Sequence, residues 1–348
     1  MLIAIVEVSE SHEECIYSQV SFLTSTGYNV DLYIHPKINS QIENYRHLFN
    51  DIVIIDFENT SFLKRIYQQK KLLKKLNNYD KIIFNTASSS KIVRNLCLLL
   101  KFSKVECIGI LHNVKKIEKS FTQSLITLKI KKYFVLNDFI IPSRDIKKIK
   151  IVSFYPIFFP NIKKDITLDK KNKIWITVPG RLDYNRRDYD FLFETIRDLK
   201  NTDNIKIILL GKINTSNGLK ILKKLKDFNI ENNFILFSNF IDNNTFHNYL
   251  KKSDYILPLL KESDDYLKYK ITGTFNLAFS YKKTIISDDF YTKIPDLMEN
   301  SIFYTKTNFK ETISNINDGI LVKKDHTYKD VKWNYKTQKE QYLSLINI

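Results

Sequence analysis

The alternation of short apolar runs with longer amphipathic stretches is the feature that most constrains this chain. The apolar runs are rich in β-branched and aromatic side chains, which is typical of strands covered on both faces. The stretches between them have helical periodicity. This rhythm predicts an α/β protein built on mostly parallel sheets.

The predicted elements form two series. The first series has strands at 3–8, 30–34, 52–57, 81–84, 106–111 and 132–136, with helices at 13–26, 62–77 and 88–102. The second series has strands at 174–178, 205–210, 234–238, 255–259, 284–287 and 301–304, with helices at 188–200, 219–228, 243–251 and 274–281. We therefore predict two Rossmann-like domains, residues 1–160 and 172–326, facing across a cleft with a hinge at 156–172. Residues 327–348 are predicted to form a closing helix that packs back on the first domain.

The amino-acid composition narrows the class of protein further. Lys and Arg number 55 against 38 Asp and Glu, for a net charge of +17, but 13% of the residues are aromatic, so the chain is expected to fold rather than form a disordered basic tail. Three cysteines without CxxC spacing, at positions 15, 97 and 107, argue against a disulfide framework or structural zinc and favour a cytoplasmic location. No apolar run reaches the roughly 18 residues of a membrane span.

Glycines and positive charges follow the strands of the second series. They are Gly180, Arg181 and Arg187 after the first strand, Gly211 and Lys212 after the next, and Lys270, Thr272, Gly273 and Thr274 at a helix start. Guanidinium groups suit phosphate oxygens, and the free amides of a capped helix start favour an anion. Taken one by one, a surface lysine or a simple helix cap explains these residues equally well. Because all belong to one predicted sheet edge, together they predict a diphosphate pocket.

The nucleotide of such a ligand would lie at the ends of two neighbouring strands. Residues 211–213 and 238–242 occupy those positions. Ribose hydroxyls need an acceptor, and Asp242 is the candidate.

The Gly180-Arg181 pair with Arg187 six positions later resembles the donor-binding half of GT-B glycosyltransferases, particularly the retaining family-4 type. There a Gly-Arg turn and a basic residue five or six positions on grip the diphosphate of a nucleotide sugar. The resemblance covers residues 174–290 and implies the same role here, whereas the first half matches only in rhythm.

Family-4 members usually carry two glutamates eight positions apart beside the donor sugar, and this chain lacks that pair. Counting forward from Pro258 gives Glu262 and Lys270, whereas counting back from Asp288 gives Lys268 and Asn276. We take residues 272–276 as the functional replacement, which adds Asn276 to the predicted site.

Candidate catalytic groups follow the strands of the first series. His12 and Glu13, with Glu10 on the other side of the histidine, are candidate catalytic residues suited to acid–base chemistry, although Ser11 and Glu14 equally predict a capping box there. Other strand ends carry polar side chains at Asn85, Thr86 and His112. The family resemblance implies a histidine near the donor sugar at the last of these positions.

The stretch 62–76 concentrates positive charge on an apolar helix, with Lys64, Arg65, Lys70, Lys71, Lys74 and Lys75. It is either a solvated helix packing on its own sheet or a surface that adheres to anionic lipid headgroups. The chain has no recognition helix, RNA-binding motif or zinc finger, which argues against a nucleic-acid partner.

The sequence thus predicts a cytoplasmic glycosyltransferase, peripheral to the inner face of the membrane, in surface polysaccharide or glycoconjugate synthesis. It would move a sugar from a nucleoside-diphosphate donor, bound by the second domain, to a hydroxyl of a glycan or lipid-linked acceptor, bound by the first. Cationic groups would hold the diphosphate without a metal or other cofactor. The alternatives are a nucleotide-sugar epimerase of the same fold and a non-catalytic nucleotide-sugar-binding or partner subunit.

Overall fold

The computed structural model describes residues 1–57, 61–143, 146, 148–162, 165–324 and 328–347, leaving the Phe62 side chain aside. The chain divides into two units. Unit 1 comprises Met1–Asn161, Lys268–Ile271 and Asn334–Ile348, and unit 2 comprises Ile162–Leu267 and Thr272–Trp333. The predicted limits at 326, 327 and 348 fall outside the described residues.

Unit 1 is built on a seven-stranded parallel sheet of order β3-β2-β1-β4-β5-β6-β7. The strands are β1 Leu2–Glu7, β2 Asn29–Ile34, β3 Ile52–Ile54, β4 Lys81–Phe84, β5 Glu106–Leu111, β6 Lys132–Val135 and β7 Lys150–Ser153. The direction of strand order reverses between β1 and β4. Ligands of open α/β sheets bind beyond the carboxyl ends of the strands at such a switch point.

Helices and two apolar clusters cover both faces of this sheet. The helices are α1 Ile16–Thr24, α2 Phe62–Leu76, α3 Lys91–Leu99, α4 Lys115–Lys119 and α5 Phe121–Thr127. Side chains alternate along β1, so Ala4 and Val6 join one cluster while Ile3 and Ile5 join the other. The strands are therefore buried on both sides, as their apolar sequence predicts.

Unit 2 repeats the design with a six-stranded parallel sheet of order β10-β9-β8-β11-β12-β13. Its strands are β8 Ile174–Pro179, β9 Ile205–Lys212, β10 Phe234–Phe237, β11 Tyr255–Ile256, β12 Thr284–Asp288 and β13 Ser301–Tyr304. Its helices are α6 Tyr189–Asp198, α7 Ser216–Asp227, α8 Asn243–Lys252, α9 Asp264–Lys268, α10 Gly273–Ser280, α11 Pro295–Met298 and α12 Phe309–Asn317. The switch point here lies between β8 and β11.

The last helix, α13 (Tyr335–Ile346), belongs to unit 1. Its fully buried Tyr342 stacks on Phe134 with ring centroids 4.4 Å apart, and the Tyr342 hydroxyl donates to Gln19 Oε1 at 3.2 Å. An aromatic ring buried this way contributes both apolar area and a specific contact. The C-terminal helix is thus part of the unit 1 core.

Several elements depart from the sequence prediction. The strand β7 and the helices α4, α5, α9, α11 and α12 were not predicted, because each is short or bordered by polar residues. The strand predicted at 255–259 ends at Ile256, since Leu259 takes a left-handed conformation (φ 53°). The predicted capping box is absent: the residue before the first turn, Glu13–Cys15, is His12 with φ 70°, and no side chain caps it.

The helix α2 buries apolar side chains of its C-terminal half and leaves apolar side chains of its N-terminal half exposed. Leu72 and Leu76 are buried, whereas Leu63 is 77% and Tyr67 68% exposed. The helix therefore shows both lysines and large apolar side chains to solvent. Among the described helices, none has the length and apolar character that crossing a bilayer requires.

Candidate functional site

Two glycines shape the end of β8 in unit 2. Gly180 has φ +94°, a conformation that side-chain-bearing residues rarely adopt. A Cβ on Gly211, in the neighbouring strand β9, would lie 2.3 Å from the Gly180 carbonyl oxygen. Both positions therefore require glycine for the backbone of this turn, whatever the turn binds.

Arg187 cross-links this turn to its neighbours. Its guanidinium, in a side chain only 5% exposed, donates to the carbonyls of Pro179 (2.5 Å), Arg181 (2.6 Å) and Pro258 (3.1 Å) and to Thr274 Oγ1 (3.2 Å). The ends of β8 and β11 and the start of α10 are thus held by one side chain. All four acceptors are neutral, so these hydrogen bonds do not offset the positive charge of the guanidinium, which favours an anion nearby.

The same cross-link brings Arg181 and α10 to one place. Arg187 holds the Arg181 carbonyl through one nitrogen and Thr274 through another, while the Arg181 side chain is exposed. Thr272 caps α10 by accepting from the Thr274 amide at 3.4 Å, and a Cβ on Gly273 would meet open space. An exposed guanidinium and an open helix start therefore share the carboxyl edge at the switch point, which suits an anion.

Asn276, on the first turn of α10, has an unsatisfied buried oxygen. The residue is 4% exposed, and its Oδ1 has no hydrogen-bond partner within the described part of the chain. Such an oxygen costs about 1–3 kcal/mol unless something donates to it. A hydroxyl or amine of a bound ligand would satisfy it.

Of three further residues predicted for the second domain, one lies in unit 1, one is engaged in a helix cap and one is exposed at the predicted strand end. Lys270 belongs to the segment Lys268–Ile271 of unit 1, where the Tyr269 carbonyl accepts from the Val114 amide at 2.9 Å. Asp242 caps α8 by accepting from the amide and hydroxyl of Thr245, and these bonds lower its pKa although burial opposes them. Lys212 is exposed at the end of β9.

A cavity of about 180 Å³ at the ends of β11 and β12 is lined by three acidic and two basic side chains, Asp188, Glu262 and Asp288 with Lys261 and Lys306. Glu262 pairs with Lys306 at 3.5 Å, and Asp288 accepts from the Phe290 amide at 2.9 Å. Burial and the neighbouring Asp289 and Glu262 raise the pKa of Asp288. Glu262 thus has Lys306 as its ion-pair partner, and the residue eight positions later is Lys270 rather than a second glutamate.

The Asp188-Tyr189-Asp190 triplet is the one Asp-x-Asp spacing in the sequence. Asp188 caps α6, and Asp190 pairs with Lys224 at 2.8 Å. Nowhere in the described ranges do three His, Cys, Asp or Glu side chains converge to hold a metal ion. The three cysteines are buried and free.

In unit 1 a fully buried carboxylate, Glu7, organises the switch point between β1 and β4. Its oxygens accept from the amide and hydroxyl of Ser9 (both 2.7 Å), from Asn85 Nδ2 (2.7 Å) and from Thr86 Oγ1 (2.6 Å). Asn85 also donates to the His12 carbonyl at 2.8 Å, which holds the left-handed His12 in place. Burial raises the pKa of Glu7 even though these hydrogen bonds oppose it.

Two histidines stack above this network. The rings of His12 and His112 lie 3.7 Å apart, and His112 Nε2 is 2.8 Å from the Asn85 carbonyl, so that nitrogen carries the proton. Burial and the adjacent His12 lower the pKa of His112 to about 3. His12 Nδ1 is 3.4 Å from Glu14, whose hydrogen bond and charge outweigh burial and raise the pKa of His12. The pair therefore combines a neutral imidazole with a readily protonated one.

The sequence predicts four polar residues at one edge of the unit 1 sheet, and the structure brings these four together: His12, Asn85, Thr86 and His112. The sequence pattern does not predict that Glu7 and Glu14 hold these side chains in place by hydrogen bonds. Glu13, a predicted catalytic residue, instead accepts from the buried Tyr45 hydroxyl at 2.5 Å. Position could have revealed Glu7, because a glutamate ending a strand buried on both faces must find donors.

Two Rossmann-like units with parallel sheets, each with its polar groups at a switch point, define the GT-B fold. Among solved structures, the chain is similar to UDP-GlcNAc 2-epimerase of Methanocaldococcus jannaschii (TM-score 0.66, 14% identity, 100% of both chains covered). It is also similar to HepE of Anabaena in complex with UDP and glucose (0.64, 13%, 100% and 95%) and a glycosyltransferase of Rickettsia africae (0.63, 17%, 99% and 93%). No family model and no curated protein sequence matches the chain.

Proposed function

We propose that this protein is a glycosyltransferase that moves a sugar from a nucleoside-diphosphate donor to a hydroxyl of a glycan or lipid-linked acceptor in surface polysaccharide or glycoconjugate synthesis. The observation that carries the proposal is the Arg187 cross-link. It joins the turn that carries the exposed Arg181 to the start of α10, the helix that carries Gly273 and the unsatisfied Asn276 oxygen. The fold shared with HepE, solved in complex with UDP and glucose, and with a glycosyltransferase supports it.

In this proposal unit 2 binds the donor. The Arg181 guanidinium and the α10 amides stabilise the negative charge that grows on the departing diphosphate, taking the place of a metal ion. Arg187 acts as a positioning residue, because its donors are engaged with the protein itself. Asn276 Oδ1 would accept from a hydroxyl of the donor.

Unit 1 carries the acceptor-side chemistry in this proposal. His12 and His112 are the candidates for moving the proton of the attacking hydroxyl, and the Glu7 network fixes their positions. The raised pKa of His12 makes its imidazole the stronger proton acceptor, whereas burial lowers the pKa of His112 and leaves it a weak base that supports the His12 ring by stacking.

Calorimetric titration with UDP, GDP, ADP and CDP tests the donor site. At least one should bind, and Arg181→Ala should weaken that binding about tenfold to a hundredfold, since a hydrogen bond to a charged group contributes about 1.5–3 kcal/mol. Arg197→Ala removes another exposed unit 2 arginine, on α6, and should change nothing. The proposal fails if no diphosphate binds or if Arg181→Ala binds as tightly as the parent.

An epimerase acting on a nucleotide sugar is the second candidate, favoured by the likeness over the whole chain to the archaeal epimerase. Incubation with the donor alone separates the two, because only an epimerase alters the free nucleotide sugar without an acceptor. The missing glutamate pair also favours a non-catalytic nucleotide-sugar-binding or partner subunit. Transfer to any glycan acceptor would exclude that alternative.

We also propose that α2 contacts the inner, anionic face of the membrane from the cytoplasm. Exposed Leu63 and Tyr67 accompany the lysines and Arg65 of this helix, and each basic residue near an anionic surface contributes about 1 kcal/mol. The unpaired cysteines favour the cytoplasm.

A further inference from the structure

A groove of about 630 Å³ lies at the amino end of the unit 2 sheet, opposite the edge of the candidate donor site. Lys173 and Asp254 in its lining directly precede β8 and β11, which are adjacent parallel strands. Its other wall is the turn that follows α12, residues 319–323. The groove is therefore separate from the residues proposed to hold the donor.

The lining of the groove is strongly cationic. Lys170, Lys171, Lys173 and Lys323 line it with a single carboxylate, Asp254. The Asp254 oxygens lie 2.5 Å from the Lys170 ammonium and 2.6 Å from that of Lys323, and one of them also accepts from the Trp175 amide at 2.8 Å. Asp169 lies 3.4 Å from the Lys171 ammonium, so two carboxylates face four lysines and the groove keeps a net positive charge.

Further lysines around the groove add to this charge. Burial and the proximity of Lys323 lower the pKa of Lys283 to about 8, and burial with Lys173 and Lys171 lowers the pKa of Lys206. Lys283 donates to the Lys251 carbonyl at 2.7 Å rather than to a carboxylate. The ammonium groups repel one another, so an anion in the groove would lower the free energy of the folded unit.

One wall of the groove is apolar. Ile316, Leu321 and Val322 form it, and Val322 (64%) and the adjacent Ile320 (72%) are strongly exposed. The Ile320 and Leu321 amides both donate to the Asn315 carbonyl at 2.9 Å, which fixes the turn after α12 that carries this wall. The groove thus presents ammonium groups beside apolar side chains.

We propose that this groove binds the phosphate of an amphiphilic anion, with the lysines on the phosphate and the 316–322 wall against an acyl chain. The lysine rim fits a phosphate, and the exposed apolar wall fits hydrocarbon. The phosphate can come from a phospholipid in a bilayer or from a single lipid-phosphate molecule. The site is independent of the proposed transferase activity.

The first experiment is a calorimetric titration with dihexanoyl phosphatidylglycerol below its micelle-forming concentration. The variant K171Q/K173Q/K323Q leaves the Lys170–Asp254 pair in place and should weaken binding at least tenfold. The control K220Q/K223Q/K226Q removes the same charge from exposed positions on α7 of the same unit and should bind like the parent. Equal affinity in both variants would overturn the proposal.

Val322→Ser tests the apolar wall without changing charge or burying a polar group. It should weaken the lipid several-fold and leave the unfolding midpoint unchanged. Inorganic phosphate should bind more weakly than the lipid. If inorganic phosphate binds as tightly, or if Val322→Ser has no effect, the amphiphile is the wrong ligand class and the proposal fails.

Co-sedimentation with phosphatidylglycerol vesicles identifies the source of the phosphate. Vesicle binding lost in the groove variant supports a bilayer source, whereas binding of the monomeric lipid without vesicles supports a single lipid phosphate. Vesicle binding lost only on K70Q/K71Q/K74Q/K75Q in α2, with no monomer binding, overturns the groove proposal. UDP affinity should be the same in all these variants, so the outcome is distinguishable from failure of the donor site.

Discussion

At the scale of single residues, the two sheet edges use charge in different ways. Arg187 keeps its cation buried and bonded to neutral carbonyls, whereas Glu7 keeps its carboxylate buried and bonded to neutral donors. Each shapes the loops around it, and each has a more accessible neighbour, the exposed Arg181 or the half-buried His12, that could contact ligands. Spacing in sequence marks Arg181 and Arg187 alike, and only burial separates their roles.

The Glu14–His12 pair gives a pH-dependent prediction. Glu14→Gln should lower the pKa of His12, because the carboxylate raises it, as measured by proton NMR titration of the imidazole. Glu10→Gln, which removes a carboxylate paired with Lys37, is the matched control and should leave that pKa unchanged. An unchanged His12 midpoint in Glu14→Gln would contradict the assignment.

The same pair makes the free energy of unfolding depend on pH, with a maximum contribution between two pH limits. The raised His12 pKa contributes stability that is present below pH 6.5 and lost as pH rises through its folded value. The lowered Glu14 pKa contributes stability that is present above pH 4.5 and lost on acidification. Glu14→Gln should therefore differ most from the parent between these pH values in urea denaturation, modestly, because both side chains are partly solvated.

At the scale of elements, two helices have a glycine near their first residue, and packing requires a glycine at only one of the two positions. A Cβ on Gly218, in the first turn of α7, would lie 2.0 Å from the Ile213 carbonyl oxygen, whereas one on Gly273 meets open space. Gly218 is therefore demanded by packing. Gly273 is not, and its openness fits an approach of ligand to the helix start.

Gly218→Ala and Gly273→Ala should consequently separate stability from binding. Gly218→Ala should destabilise the protein by about 1–3 kcal/mol through overpacking. Gly273→Ala should be neutral or stabilising by up to about 1 kcal/mol, since alanine favours helix, but should weaken nucleoside-diphosphate binding. Thermal unfolding and calorimetry measure the two effects, and undiminished binding in Gly273→Ala would argue against a phosphate at α10.

At the scale of the whole molecule, the chain crosses between units more than once. Residues 268–271 and α13 belong to unit 1 although the chain between them builds unit 2. The predicted division at 160 and 172 took the units as consecutive segments, because sequence periodicity carries no signal for a four-residue excursion. Lys270 therefore changes unit relative to the prediction.

Tyr342 in α13 offers a test of this organisation. Tyr342→Ala should cost about 3–5 kcal/mol by leaving a cavity beside Phe134, whereas Tyr342→Phe keeps the stack and should cost about 1 kcal/mol. Both tryptophans, Trp175 and Trp333, lie in unit 2, so fluorescence follows that unit and circular dichroism follows both. For Tyr342→Ala we expect part of the circular-dichroism signal to be lost under milder denaturing conditions, while the midpoint of the tryptophan fluorescence transition stays unchanged. A shift of both signals together would contradict this expectation.

The sequence alone determined the fold class and most strands, because β-branched runs flanked by amphipathic helices have few other ways to bury their apolar faces. It also located polar groups at strand ends, since parallel strands bring those ends to one edge. Only the tertiary structure decided what each group does: that Arg187 binds carbonyls, that Glu7 organises the histidines, and that lysines from distant segments surround one groove. Hydrogen-bond partners and burial depend on residues far apart in the chain, and no local pattern encodes them.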